Sequence, residues 1–169
     1  MKINVKVYAR RFELLCMVII PLVLIATPMI WFFGDKLLDS TYGIDLKSFS
    51  LIKRLAVVSV ELISSFMLVY GLSLCIQIAR LFQKDEIFSP RTASLFARVS
   101  RISGWWGLYN IITGACINRL LAPHLPIQLS IFALCSAAMF YLFIFVFLSI
   151  LAILVAKASS LQHDQDLTV

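Results

Sequence analysis

The chain has 169 residues, of which 61% are hydrophobic and 14% charged, with a formal net charge of +6. Too little polar sequence remains outside the apolar stretches for a soluble domain of ordinary size, so one membrane domain, residues 1–169, is the economical count. The basic residues sit mostly beside apolar runs and form no separate module, which argues for contact with lipid and against direct contact with nucleic acid.

Four apolar stretches, at about 13–33, 55–82, 102–122 and 128–156, dominate the sequence. Each is long enough to cross a hydrocarbon core of ~30 Å, which takes about 20 helical residues. The fold class expected is therefore all-α: a polytopic membrane protein with four transmembrane helices in a bundle. Lys2, Lys6, Arg10 and Arg11 precede the first stretch as they would in a secretory signal, but its end, Ile30-Trp31-Phe32-Phe33, has no small-x-small cleavage site. An uncleaved first helix is expected.

Counting Lys and Arg by flank sets the orientation. The amino terminus carries four, the second connection five (Arg80, Lys84, Arg91, Arg98, Arg101) and the tail Lys157, against Lys36, Lys47, Lys53, Arg54 and Arg119 on the other side. The positive-inside rule places both termini, the connection 83–101 and the tail 157–169 in the cytoplasm.

In the first span Pro21 and Pro28 lie seven residues apart, nearly on one face, and each removes a backbone hydrogen bond. A bent helix is expected. A mixed connection of about twenty residues, 35–54, then reads as a segment lying along the outer interface. The second span holds Glu61, an acidic residue at bilayer depth, where a charge costs at least ~2.5 kcal/mol near the centre. Three readings stand side by side: a structural carboxyl, hydrated near the outer interface or protonated and bonded to Ser64 or Ser65; a group that handles protons, cations or a substrate; and a contact between copies in an oligomer.

Gly71, Cys75 and Ala79 repeat at intervals of four, and Gly104, Gly107, Ile111, Gly114 and Asn118 form a similar stripe on the third span. The two stripes are expected to face each other, with Asn110 and Asn118 hydrogen-bonding across the interface. Trp105, Trp106 and Tyr109 are expected at the headgroup level of the cytoplasmic end. Pro123 and Pro126 stop the third helix in a tight outer turn, where His124 has no partner at metal-ligand spacing. The fourth span is uniformly apolar, as a lipid-facing helix would be. Cys16, Cys75, Cys116 and Cys135 all fall inside spans without CxxC spacing, and no cofactor or metal site is expected.

The segment Leu81-Phe82-Gln83-Lys84-Asp85-Glu86-Ile87-Phe88-Ser89-Pro90 ends one helix and starts another, with Ser89 as the cap and Pro90 in the first helical position. Arg91, Arg98 and Arg101 follow on an amphipathic lead-in whose apolar side is Leu95, Val99 and Ile102. These arginines are candidate contacts for anionic lipid or a partner, and so are Asp164, Asp166, Leu167 and Val169 of the short acidic tail.

The charged turn with Ile87-Phe88-Ser89-Pro90, the arginine-bearing helix and the terminal acidic-Leu167-Thr168-Val169 resemble the bacterial membrane family labelled domain of unknown function 2975. The resemblance covers nearly the whole chain. Members usually carry Gly in the charged turn before Phe, where this chain has Lys84-Asp85-Glu86, which leaves the turn geometry open. What the resemblance implies is a multi-pass protein of the bacterial inner membrane without assigned enzymatic activity, in several bacteria encoded beside a small helix-turn-helix regulator.

No P-loop, HExxH, GxSxG or paired-carboxylate arrangement is present, so the expectation is a non-enzymatic protein that engages a helix-turn-helix regulator or a membrane complex through its cytoplasmic connection and tail. The alternative is a small channel or transporter that uses Glu61 in a polar pathway with Ser64, Ser65, Asn110 and Asn118. Four spans seldom enclose a pathway, so that alternative calls for a homo-oligomer.

Overall fold

The computed structural model describes residues 5–33, 50–121 and 127–166, without the side chains of residues 31, 118–121, 127–138 and 162–166. Four helices account for these residues: α1 (Val5–Phe33), α2 (Leu51–Gln83), α3 (Pro90–Leu121) and α4 (Ile127–Asp166). No strand occurs among the described residues, and the all-α expectation holds. The tight turn at Pro123 and Pro126 and the mixed connection ahead of Ser50 lie outside them.

Helix ends follow local chemistry. Ser50 caps α2 by accepting a hydrogen bond from the Lys53 amide at 3.4 Å. At the other end, the Glu86 amide donates to the Leu81 carbonyl at 3.0 Å and the Asp85 amide to the Phe82 carbonyl at 3.3 Å. This nested pair is a Schellman closure, which needs a left-handed residue after the cap. Asp85 supplies it with a φ of 64°, a conformation that glycine adopts without strain. Asp85→Gly is expected to raise stability by about 0.5 kcal/mol net, since the lost ion pair with Lys6 joins two exposed side chains. Asp85→Ala keeps the Cβ and is expected to lower it. Thermal unfolding in detergent checks both, and the opposite order would refute the role given to this φ.

As the sequence predicts, Ser89 caps α3, accepting from the Thr92 amide at 3.1 Å, with Pro90 in the first turn. Thr92 is fully buried and donates to the Glu86 carbonyl at 2.7 Å, which ties the turn to the helix that follows it. Residues 84–89 are the non-helical link between α2 and α3. The amphipathic lead-in of 90–101 is continuous with the third apolar stretch, and its Leu95 and Val99 join Leu74, Ile78 and Leu81 in the main core.

α1 continues through Pro21 and Pro28 as one helix. Successive helices run antiparallel. Glu13 meets Arg80 while Thr27 meets Ser65; Ile102 lies over Gly71 while Asn110 meets Ser64; Ser100 meets Ser149 while Gly107 lies against Tyr141. Packing runs α1 on α2, α2 on α3 and α3 on α4. Large apolar side chains such as Leu22, Phe33, Phe143 and Ile153 are turned outward, the reverse of a protein built for water.

Three helices are long and apolar enough to cross a membrane: Val5–Ile30, Leu51–Gln83 and Met139–Leu161. The third expected span, 102–122, falls short of that standard among the described residues. The cause is in its composition: Gly104, Trp106, Gly107 and Asn110 dilute the apolar character of α3 and serve its packing on α2 and α4.

Candidate functional site

The second and third helices bring together a polar cluster about one-third of the way along α2 from its start. Ser64, nearly buried, donates to Asn110 Oδ1 at 2.9 Å and accepts from Trp106 Nε1 at 2.9 Å. Asn110 Nδ2 in turn donates to the Trp106 carbonyl at 2.7 Å. Tyr109 donates its hydroxyl hydrogen to the Val60 carbonyl at 2.8 Å. Ser65 points to the other side of α2, where its hydroxyl lies 2.8 Å from Thr27 Oγ1 of α1 and donates to the Glu61 backbone carbonyl at 3.1 Å.

Asn110 bonds across from α3 to α2 as the sequence anticipated, and Ser64 and Ser65 stand at helix contacts that the sequence did not indicate. Trp106 and Tyr109 lie along α3 and turn their polar tips onto α2, where a buried indole or phenol needs a partner. The side chains of Asn118, Asp164 and Asp166 lie outside the described residues, as do Leu167 and Val169.

Glu61 is partly buried and lies within electrostatic reach of the Tyr109 and Tyr141 phenols. Its expected bond to Ser64 or Ser65 is not made: Ser64 is engaged by Asn110 and Trp106, and Ser65 reaches the Glu61 backbone only. The cluster is therefore a saturated set of hydroxyl, amide and indole groups beside one carboxylate that accepts no hydrogen bond among the described residues. None of these residues forms a group that could hold a metal ion.

The glycine stripes correct another expectation. Gly71 does face α3, but Gly104 and Gly107 face α4, where added Cβ atoms would meet the Phe145 ring at 3.0 Å and Tyr141 Cβ at 2.6 Å. Gly104 and Gly107 accommodate aromatic side chains of α4 and do not mate with the small residues of α2. Trp106 and Tyr141 complete the contact edge to face, their ring centroids 5.2 Å apart.

At the end that carries the 84–89 turn, Glu13 of α1 accepts from Arg80 Nε and Gln83 Nε2 of α2, both at 2.7 Å, and Lys6 pairs with Asp85. Beside this layer an apolar groove of about 480 Å³ opens among Tyr8, Phe12, Cys75, Phe82, Phe96 and Leu148. Arg91 is exposed near the turn, and Arg98 and Arg101 are exposed further along α3. Arg101 adjoins Ile102, which lies over Gly71, nine residues and so about 13 Å along α2 from Arg80. Arg98 lies beside α2 with it, in the company of Tyr70. Among the described residues neither forms an ion pair.

No curated protein and no solved structure matches the chain. The model of one family, described as a protein of unknown function (DUF2975), matches residues 52–169, which takes in all of α3 and α4 and nearly all of α2 and leaves α1 outside. With more than half of its length matched by that model, this helical, membrane-compatible chain belongs to the DUF2975 family.

Proposed function

We propose that the chain is a non-enzymatic protein of the bacterial inner membrane that crosses it four times, both termini in the cytoplasm, and presents its turn end to a protein partner. The excess of Lys and Arg on that side supports the orientation. Inclusion of α3 as a span is supported by its antiparallel run between α2 and α4, both of which are apolar enough to cross.

The observation that carries the partner reading is the fixed turn. The Schellman closure, the buried Thr92 and the Lys6–Asp85 pair hold residues 84–89 in one shape, with Phe88 more than half exposed among Lys84, Asp85 and Glu86. An exposed aromatic on a rigid, charged turn is the composition of a recognition surface. Beside it α4 continues as helix to Asp166, ten residues past the apolar stretch. A helix-turn-helix regulator, in keeping with the gene neighbourhood that the family resemblance implies, is the partner put forward. A photo-crosslinking residue at position 88, or at exposed Leu161 on α4, is expected to capture one cytoplasmic protein in intact membranes, identified by mass spectrometry, and Phe88→Ser to lose the adduct formed from position 161. Capture of lipid alone from both positions would refute it.

The carboxylate of Glu61, without a hydrogen-bonding partner among the described residues, favours a second reading, ion or proton movement through a self-assembled form. Reconstituted protein separates the two: flux lost in Glu61→Gln would favour transport, and no flux would favour the partner reading.

A further inference from the structure

We propose that the pocket lined by Tyr70, Arg98, Arg101 and Trp105, between α2 and α3, binds the phosphate of an anionic phospholipid from the leaflet on the turn side. The pocket measures about 340 Å³ and is completed by Ile102. Arg98 and Arg101 stand three residues apart on α3 and so project from one face, with Trp105 one turn further on and Tyr70 opposite on α2. All four side chains are exposed on the outside of the helices, the side that meets lipid.

Three physical features select this ligand. Two guanidinium groups offer forked donors to the oxygens of a phosphate, and a phenol adds a third donor at the same place. Neither arginine forms an ion pair among the described residues, so their charge calls for an external anion. The pocket also sits further from the turn than the Glu13–Arg80 layer, and beyond it Phe66 on α2 and Leu108 and Ile112 on α3 are exposed. These follow Tyr70 and Trp105 at helical spacing and make an apolar wall on which an acyl chain can lie. A free phosphate has no use for that wall; a phospholipid does. The site is separate from the turn surface, so it stands or falls independently of any protein partner.

Native mass spectrometry of the full chain released from nanodiscs tests it, with phosphatidylglycerol against phosphatidylcholine as probes. Wild type is expected to prefer phosphatidylglycerol by about 30-fold, the product of two cation contacts. Arg98→Gln/Arg101→Gln is expected to abolish the preference, Arg98→Lys/Arg101→Lys to keep part of it, and Arg91→Gln, outside the pocket, to leave it intact. Tyr70→Phe removes one hydroxyl, keeps the ring and is expected to weaken retention about 3-fold, a readout that survives if the arginine variants fail to fold. Equal retention of both lipids, or full retention by the double glutamine variant, would overturn the site. Displacement of the lipid by inorganic phosphate at the same concentration would overturn the lipid as its source.

Discussion

Gly107→Ala is expected to destabilise the folded chain by about 1–3 kcal/mol, the usual cost of forcing an extra carbon into a packed interface. The added Cβ would lie 2.6 Å from Tyr141 Cβ and 2.9 Å from Tyr141 Cγ. The nearer atom is fixed to the α4 backbone, so rotating a side chain does not relieve the contact; α3 and α4 must separate. The other two positions grade the effect. At Gly104 the nearest atom is a Phe145 ring carbon at 3.0 Å, and a ring can turn aside, so Gly104→Ala is expected to cost about 1 kcal/mol or less. At Gly71 the nearest atom is the Ile102 methyl at 3.8 Å, an ordinary contact, and Gly71→Ala is expected to be neutral or stabilising by about 0.5 kcal/mol through helix propensity. Reversible unfolding in mixed detergent micelles measures all three. Tyr141→Ala provides the control: it removes the ring but keeps Cβ, and is expected to rescue Gly107→Ala only in part. Full rescue would show that the ring alone makes the contact, and an order of cost other than 107, 104, 71 would contradict the α3–α4 packing.

That series also shows where sequence reading stops. Spacing of 3 and 4 marked Gly104 and Gly107 as one face of a helix, and they are; spacing carries no information on which neighbour that face meets. The aromatic partners, Tyr141 and Phe145, lie more than 30 residues on. Features that depend on a few adjacent residues were legible: the Ser89 cap, Pro90 in the first turn, and the apolar runs that became α1, α2 and α4. Glu61 stood out as a carboxylate in an apolar run, but its phenol neighbours come from α3 and α4, and no local pattern joins them. Arg98 and Arg101 lie on the helix that starts at Pro90, as the Ser89 cap implies, but the pocket they share with Tyr70 of α2 has no local signature. The contacts of Trp106 and Tyr109 with α2 likewise join residues more than 40 positions apart, which no local pattern links. Thr27, which meets Ser65 from α1, gave no signal at all, being a single hydroxyl between two prolines.

Ser64→Ala is the more informative change at the polar cluster, because one hydroxyl serves two neighbours. It accepts from the Trp106 indole and donates to the Asn110 carboxamide, each at 2.9 Å. Alanine fills nearly the same space, so the cost is that of two polar groups losing a partner and not of a cavity. A single interhelical hydrogen bond in a membrane protein contributes about 0.6 kcal/mol, reaching ~1.7 at most, and the loss of two together is expected to cost about 1–2 kcal/mol. Ser65→Ala is the internal comparison. Thr27 keeps its bond to the Val23 carbonyl at 3.0 Å when Ser65 is removed, and the expected loss falls to about 0.6 kcal/mol. Asn110→Leu should behave as part of the same unit as Ser64, so the double variant Ser64→Ala/Asn110→Leu is expected to cost less than the two single changes summed. The physical reason is that the first substitution already breaks the bond which the second would remove. Unfolding free energies from the four proteins of this cycle decide the point: strict additivity would mean that the Ser64–Asn110 bond does not hold α2 to α3, whereas a coupling of about 0.5 kcal/mol or more places it among the contacts that fix their register.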